Sequence, residues 1–289
     1  MSPASPRPHR RPSTTGRAGR KADEHDKAQR MESRARTVGL PLMFQKLAPY
    51  YDLFVAGKDY AGECRRLEAL VRKYCRSGGR SWLDVACGTG RHLEFLQKAY
   101  TVVGVDVSPS MLRIARRRLP GVEFHRADAR DLQLRRTFDV ATCLFGTIGH
   151  LGREWEIRAV FERMADHLKP GGVAIVEPWI DPDNFRPGFI HLMSYDSPNT
   201  KLVRLSYSTR RGAHSVIRSH YLVGERGIGV RHLEETDGTG LLIPRDRLLE
   251  WIREAGLTAR FLKRGLRPGT GLLVGVKPFG KSASGRALG

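Results

Sequence analysis

The stretch WLDVACGTGRHL, residues 82–93, decides the fold of this chain. Its apolar part, residues 83–86, predicts a buried strand, and a turn containing Gly88 and Gly90 follows. The next residues predict a helix over 91–98. Glycine has no Cβ, so the backbone N–H groups of such a turn can approach a ligand closely. A strand, a glycine turn and a helix in this order are typical of nucleotide-binding α/β sheets.

The alternation of strands and helices continues along the chain. An amphipathic helix is predicted over 61–74, a second helix is capped by Ser108, and a third runs over 154–167 until Lys169, Pro170, Gly171 and Gly172 stop it. Further strands are predicted at 101–106, 122–126, 138–144 and 173–176. This order predicts a parallel sheet covered by helices on both faces.

After Pro178 the pattern changes to strands that alternate or are rich in β-formers. Segments 202–209, 215–223 and 229–235, separated by glycine turns, predict an antiparallel meander inserted into the sheet domain. A helix over 245–255 and strands over 257–262 and 271–276 then close the fold. The predicted domains are a disordered extension (1–37), a cofactor-binding core (38–178), the insertion (179–240), the closing helix and strands (241–279) and a flexible tail (280–289).

Composition narrows the class of protein. The formal net charge is +20, which suits anionic partners such as phosphorylated metabolites or nucleic acid. Residues 1–21 carry six basic and no acidic residues and too few apolar ones to form a core. No run suits a signal peptide or a membrane span. Four cysteines without a C-x-x-C pair indicate a reducing compartment, which we expect to be the cytoplasm, and predict neither disulfides nor a metal site.

Two acids flank the glycine turn. Asp106, at the end of the next predicted strand, can accept the two hydroxyls of a ribose. Asp84 can brace the glycine loop or meet an amino group of the ligand. A dinucleotide site expects G-x-G-x-x-G, but Leu93 stands at the third glycine position. A purely structural turn with solvent-facing acids is the remaining alternative.

The spacing D-x-x-x-G-x-G with the following Asp106 resembles class I S-adenosylmethionine-dependent methyltransferases. The resemblance implies a Rossmann-like α/β sheet and S-adenosylmethionine as cofactor, with S-adenosylhomocysteine as product. It implies that Asp128, with the Ala129 amide, binds the adenine. A turn cap is the alternative role for Asp128, although Asp131 is expected to be that cap. Met111 either packs on the adenine or belongs to the core. The implied cofactor residues are Tyr51, Asp84, Ala86, Gly88, Gly90, Asp106, Val107, Met111, Asp128, Ala129 and Leu144.

The loop after the fourth predicted strand faces the methyl group in this fold. It reads Leu-Phe-Gly-Thr at 144–147, which differs from the [DN]-P-P-[FY] of base amino-methyltransferases. His150 follows on the same loop, and its ordinary pKa near 6.5 suits a general base for an amine proton. A purely structural histidine is the alternative reading. Cys143 lies inside the strand and is interpreted as core rather than as a covalent nucleophile.

Several segments together resemble a subgroup, the nucleotide-linked aminosugar N-methyltransferases of macrolide biosynthesis. They are LAPYYD (47–52), GKDY (57–60), IGH (148–150) and EPW (177–179), in addition to the glycine motif. The resemblance implies that His150 accepts the proton, that Tyr51, Glu177 and Trp179 face the substrate, and that the insertion helps form a homodimer. Phe44 and Thr270 stand where the subgroup has a tyrosine and an arginine.

The leading hypothesis is therefore a methyltransferase acting on the amine of a nucleotide-activated aminosugar in antibiotic biosynthesis. An O- or N-methyltransferase of another natural product is the second hypothesis. An RNA methyltransferase is a more remote third, because no RNA-binding module is recognisable. A cofactor-binding protein without turnover is the non-enzymatic alternative.

Overall fold

The computed structural model describes residues 41–267 and 270–279. The predicted extension (1–37) and tail (280–289) lie outside the described residues. In the described residues, one seven-stranded sheet forms the core of the fold. Its strands are β1 (Ser81–Val85), β2 (Thr101–Asp106), β3 (Glu123–Arg126), β4 (Phe138–Cys143), β5 (Leu168–Val176), β10 (Thr258–Leu262) and β11 (Leu272–Val276).

The strand order is β10-β11-β5-β4-β1-β2-β3, and the pairs among β1 to β5 are parallel. β11 runs antiparallel to both β5 and β10, as the predicted closing hairpin requires. From β1 the chain first adds β2 and β3 on one side of the sheet and then crosses to add β4 and β5 on the other side. Ligand-binding loops are expected at the carboxyl ends of the strands where this crossing occurs. The prediction of an α/β sheet with helices on both faces is confirmed.

The helices begin and end close to the predicted positions. Ser108 caps its helix as predicted, because its side chain accepts a hydrogen bond of 3.2 Å from the Met111 N–H. Asp59 does the same for the first long helix by accepting from Gly62. The helices are α1 (Tyr51–Phe54), α2 (Tyr60–Tyr74), α3 (Arg91–Leu96), α4 (Pro109–Arg118), α5 (Glu154–Asp166) and α6 (Arg245–Glu254).

The core lies on both sides of the sheet. Along β1, Trp82 packs with the α2 residue Leu67 and the α4 residue Leu112 on one side. Its neighbour Leu83 packs on the other side with Phe161 of α5 and with residues of α6. The side chains of Trp82 and Leu83 are both fully buried, and apart from Asp84 the strand is apolar from residue 82 onwards.

One boundary prediction was wrong. Residues 169–172 were expected to end α5 before a strand at 173, but β5 begins at Leu168 and includes them. Gly171 has a φ of 79°, and the pairing register between β4 and β5 shifts beside Phe138. The strand therefore tolerates the glycines by means of a local irregularity.

The insertion is a four-stranded antiparallel sheet, one strand larger than predicted. Its strands, in spatial order, are β6 (Ile190–Asp196), β7 (Thr200–Arg211), β8 (His214–Glu225) and β9 (Gly229–Leu241). One face of it packs on the segment before β1: Leu202, Tyr221 and Val223 are buried with Leu47 and Phe54. This contact brings the N-terminal segment and the insertion together beside the carboxyl ends of the core strands.

Among residues 41–267 and 270–279, no helix has the length and apolarity needed to cross a bilayer. All four cysteines are free thiols. Cys143 is fully buried in β4, and burial raises the pKa of its thiol. This placement supports its interpretation as a core residue rather than as a nucleophile.

Candidate active site

The glycine loop after β1 turns sharply. Ala86, Gly88 and Gly90 all have positive φ angles, of 60°, 57° and 77°. A Cβ built on Gly88 would point into open space, with no described atom within 4 Å, whereas one on Gly90 would lie 3.3 Å from the Ala115 side chain. Gly88 therefore opens the loop towards a ligand, and Gly90 permits close packing against α4. The strained Ala86 was not foreseen, because alanine rarely adopts this conformation.

Asp106 holds this loop in place. Its Oδ2 accepts a hydrogen bond of 2.8 Å from the Gly88 N–H, and its Oδ1 accepts one of 2.8 Å from the Ser108 N–H. Burial raises the pKa of the Asp106 carboxyl, against the opposing effect of the N–H groups of Ser108 and Gly88. Each carboxylate oxygen has a second acceptor position, so the group can still receive ribose hydroxyls. Asp106 thus lies at the carboxyl end of β2, where the sequence predicts it.

Asp84 does not brace the glycine loop, contrary to that expectation. It is paired across the sheet with Thr142 of β4, and its Oδ1 accepts a hydrogen bond of 2.7 Å from the Thr142 hydroxyl. Burial raises the pKa of Asp84 to about 6, with a smaller opposing effect from His92.

The expected adenine side is formed by the end of β2, α4 and the turn after β3. Asp128 caps the 3-10 turn Ala129–Asp131 and forms an ion pair with Arg130, with Nε–Oδ1 and Nη2–Oδ2 distances of 2.9 Å and 2.6 Å. Burial acts to raise the pKa of Asp128, but the hydrogen bonds from Arg130 outweigh it and hold the pKa low. Asp131 is not the cap, because Asp128 already accepts the Arg130 N–H. Met111 is buried, while Val107 is partly exposed beside it.

The segment before α2 covers the glycine loop. Asp52 accepts a hydrogen bond of 2.7 Å from the Thr89 hydroxyl and also pairs with Arg118. Tyr51, next to it, has its ring centre 6.1 Å from that of Phe44, and burial raises the pKa of its phenol. Asp52 and Arg118 were missed by sequence reasoning, although an acid beside two tyrosines was visible. They tie the predicted pocket residue Tyr51 to the loop.

The loop after β4 carries His150. Leu144 is buried, and the backbone then turns through positive φ angles at Phe145 (60°) and Gly146 (71°) into the 3-10 turn Thr147–His150. The His150 side chain is exposed. Its ring lies edge-on to Phe44, with ring centres 5.3 Å apart, and 5.8 Å from the ring of Trp179. The structure therefore brings together His150, Trp179 and the position where Phe44 replaces a tyrosine.

Glu177 does not face a substrate, contrary to what the resemblance implies. Its side chain is fully buried, and its oxygens accept hydrogen bonds of 2.7 Å from the Phe145 N–H and 2.9 Å from Arg267 Nε. A buried carboxylate needs such partners, and here one oxygen holds the strained turn at Phe145 while the other holds Arg267. The contact of Arg267 with Glu177 could not be read from the sequence.

Trp179 links the core to the insertion. Its indole Nε1 donates a hydrogen bond of 3.2 Å to the Ser215 hydroxyl of β8. A Cβ built on Gly149 would lie 2.3 Å from Trp179, so the glycine beside His150 is required by this packing. Among the residues that the structure describes, no group of three or more His, Cys, Asp or Glu side chains could hold a metal ion.

Comparison with known proteins identifies the family. A family model described as a methyltransferase domain matches residues 83–172. The chain is 41% identical over 234 residues, 80% of its length and 91% of the relative's, to a dTDP-3-amino-3,6-dideoxy-alpha-D-glucopyranose N,N-dimethyltransferase of Streptomyces fradiae. The crystal structure of Streptomyces venezuelae DesVI matches with a TM-score of 0.75 and 37% identity, covering 80% of this chain and 98% of that one.

A third similarity concerns the cofactor. An amino pentose methyltransferase from Micromonospora echinaspora, solved with S-adenosylmethionine bound, matches with a TM-score of 0.71 and 33% identity, covering 81% of this chain and 97% of that one. Similarity at this level, over nearly the whole length of each relative, shows the family. The chain is an S-adenosylmethionine-dependent methyltransferase and belongs to the family of the dTDP-aminosugar N,N-dimethyltransferases.

Proposed function

We propose that this enzyme transfers two methyl groups, one after the other, to the amine of a nucleotide-linked aminosugar. The observation that carries the proposal is the 41% identity over 80% of the chain to a relative named for that reaction. The placement of an exposed histidine between two aromatic rings at the end of β4 is consistent with it. We assign the reaction to the cytosol, which the four free thiols support.

The glycine loop fits the cofactor. The open space above Gly88 would take the ligand against backbone N–H groups, and Asp106 would receive the ribose hydroxyls. We assign the adenine side to Val107, Asp128 and Ala129, and the amino group of the methionine moiety to Asp84. Tyr51 would close this side, together with the backbone at Ala86 and Gly90 and the buried side chains of Met111 and Leu144.

In this assignment His150 manages the proton of the acceptor. When bound, S-adenosylmethionine supplies a methyl group on a positively charged sulfur. The acceptor nitrogen must present a lone pair, which forms the new C–N bond while the C–S bond breaks and its electron pair stays on sulfur. The nitrogen then carries one proton too many, and His150 takes it up. Phe44 and Trp179 hold the imidazole ring from two sides and restrict its orientation.

Mass spectrometry of the products tests the substrate class. The enzyme is incubated with S-adenosylmethionine and a panel of nucleotide-linked aminosugars, with the non-amino nucleotide sugars as matched controls and bulk tRNA and rRNA in parallel. We expect one methyl group and then a second on an aminosugar, and none elsewhere. Methylated RNA, or turnover of another natural product with no reaction on any aminosugar, would replace the proposal.

The variant His150→Ala tests the role of the histidine. We expect kcat to fall about 100-fold, the scale of a lost general base, with the affinity for S-adenosylhomocysteine unchanged. Added imidazole should restore part of the rate. Unchanged turnover in the variant would remove His150 from the mechanism. A loss that imidazole does not restore, together with weaker product binding, would indicate a structural role.

We further propose that the enzyme is a homodimer formed through the outer face of the insertion. The pairing register places a set of large apolar side chains on that face, all of them exposed: Ile190, Leu192, Leu205, Tyr207, Leu222 and Val230. An apolar face of this kind on a sheet commonly marks an interface. Light scattering with size exclusion should give a dimer for the wild type and a monomer for Leu205→Glu, while Arg210→Glu, an exposed position on the opposite face of β7, stays dimeric. A monomeric wild type would refute this.

A further inference from the structure

An open cleft of ≈ 730 Å³ lies beside the turn at Phe145. It is bounded by α2, by residues 264–267 after β10, and by Met193 of the insertion. This volume is in the range of small-molecule sites. Phe145 belongs to the same loop as His150, so the cleft adjoins the region in which the methyl acceptor is expected. Its charged lining residues are Lys58, Asp59, Glu63, Arg66, Arg264 and Arg267.

The acids of the lining do not balance its cations. Glu63 is held by Lys58 and by His92, whose Nε2 lies 2.8 Å from Glu63 Oε2. Burial acts to raise the pKa of Glu63, but the hydrogen bonds from His92 and Lys58 outweigh it and lower the pKa. Asp59 is engaged in capping α2. The two carboxylates of the cleft are therefore occupied by Lys58, His92 and the cap of α2, and they do not pair with its arginines.

Two arginines are left in excess. Among the described residues, neither Arg66 nor Arg264 has an acidic partner, whereas Arg267 is paired with the buried Glu177. Arg66 and Arg264 are nevertheless held together, because the Arg66 guanidinium donates to the Arg264 carbonyl oxygen. The Nε of Arg66 is buried and has no hydrogen-bond partner in the described part of the chain.

The ring of Phe145 lies between the remaining two cations. Lys58 Nζ is 4.6 Å and the Arg267 guanidinium 4.7 Å from the ring centre. The Thr270 hydroxyl donates a hydrogen bond of 2.9 Å to the Arg267 carbonyl oxygen. The four cations thus line one opening.

We propose that this cleft binds the diphosphate that joins the nucleotide to the sugar, with Arg66 and Arg264 as its principal partners. The proposal rests on the proposed function for the identity of the substrate. A diphosphate offers several anionic oxygens, and guanidinium groups match them with paired hydrogen bonds. A substrate anchored there would extend its sugar along the loop towards His150. Arg66 and Arg264 are then binding residues for the substrate and take no part in the chemistry.

Binding measurements with two neighbouring controls test the site. The variants Arg66→Ala and Arg264→Ala are compared with Arg65→Ala and Lys263→Ala, which remove exposed cations from the same segments outside the cleft lining. Calorimetry with inorganic pyrophosphate and with dTDP should show Kd values raised about tenfold or more in the first pair. The controls should stay near the wild type, and Kd for S-adenosylhomocysteine should be unchanged in all four.

Kinetics separate the site from the reaction. In the first pair of variants, KM for the nucleotide-linked aminosugar should rise about tenfold with kcat unchanged. Equal losses in the controls would indicate a general charge effect and overturn the proposal. Weakened S-adenosylhomocysteine binding with pyrophosphate binding unchanged would assign the cleft to the carboxylate of the cofactor instead. If the wild type methylates no aminosugar, the proposed function fails, while pyrophosphate binding still decides the cleft.

Discussion

Replacing the buried Asp84 by asparagine should stabilise the protein at neutral pH and weaken its cofactor binding. The carboxyl is enclosed between β1 and β4, and burial raises its pKa from 3.8 to about 6. Asparagine has almost the same shape and keeps the oxygen that accepts from the Thr142 hydroxyl at 2.7 Å. It carries no charge, so the cost of ionising a buried group disappears.

The size of the effect follows from the shift. A rise of about two pKa units corresponds to about 3 kcal/mol, which the folded wild type loses as the pH rises from about 4 through 6. Stability falls with rising pH because Asp84 has the lower pKa in the unfolded chain. Ionisation therefore begins there and favours the unfolded state. The asparagine NH₂ group replaces the second oxygen and costs about 1 kcal/mol if it lacks a full partner. We therefore expect Asp84→Asn to be more stable than the wild type by about 2 kcal/mol at pH 8.

Urea unfolding of the cofactor-free protein between pH 4 and pH 8 measures this difference. The gap between Asp84→Asn and the wild type should be largest at pH 7 to 8, and near pH 4 it should vanish or reverse slightly, because only the cost of the amide group remains there. Asp183→Asn, which changes an exposed acid on a surface loop, should follow the wild type at every pH. A gap that does not vary with pH, or a less stable Asp84→Asn at pH 8, would refute the reasoning.

Three further changes are expected to separate cofactor binding, stability and turnover. Asp106→Ala removes the acceptor of two backbone N–H groups, so calorimetry should show S-adenosylhomocysteine binding about tenfold weaker or more; wild-type affinity would contradict its placement. Glu177→Gln removes a fully buried charge, and the free energy of unfolding in urea should fall by about 1–3 kcal/mol; no change would show that the ion pair is not needed. Gly149→Ala forces Trp179 away, and kcat should fall about tenfold or more with product affinity unchanged. Gly152→Ala is its control, because its nearest neighbour is 3.9 Å away; equal effects of the two would contradict the packing argument.

The core of the fold was predictable because its strands are buried on both faces. The segments at β1 and β2 are mostly apolar, and the residues of β2 match the predicted 101–106. β6 was missed for the opposite reason. None of its residues Ile190–Asp196 is fully buried. Its sequence therefore lacks the alternation of buried and exposed residues by which a strand is distinguished from a loop. An edge strand of this kind is fixed by pairing with β7 rather than by its own pattern.

In the candidate site, too, contacts within a local motif were predictable and contacts between distant segments were not. The contact of Asp106 with Gly88 spans 18 residues and lies within one strand-helix-strand unit, so a local motif predicts it. The partners of Asp84 and Glu177 are 58 and 90 residues away. Such contacts depend on which strands become neighbours and in which register, and neither is encoded in a short segment. For this reason Glu177 was expected at the substrate, although it is buried beneath the loop.

The buried charges and the strained backbone serve one purpose. Ala86 and Phe145 both have a φ of 60° and follow β1 and β4, which are neighbours in the sheet. Conformations of this kind cost about 1–3 kcal/mol each and persist only where the surroundings hold them. Glu177 holds Phe145 by its N–H, and the Cys87 N–H beyond Ala86 is bonded to β2 at 2.9 Å. The strained residues therefore lie at two adjacent strand ends, which is where we propose that the cofactor and the acceptor meet.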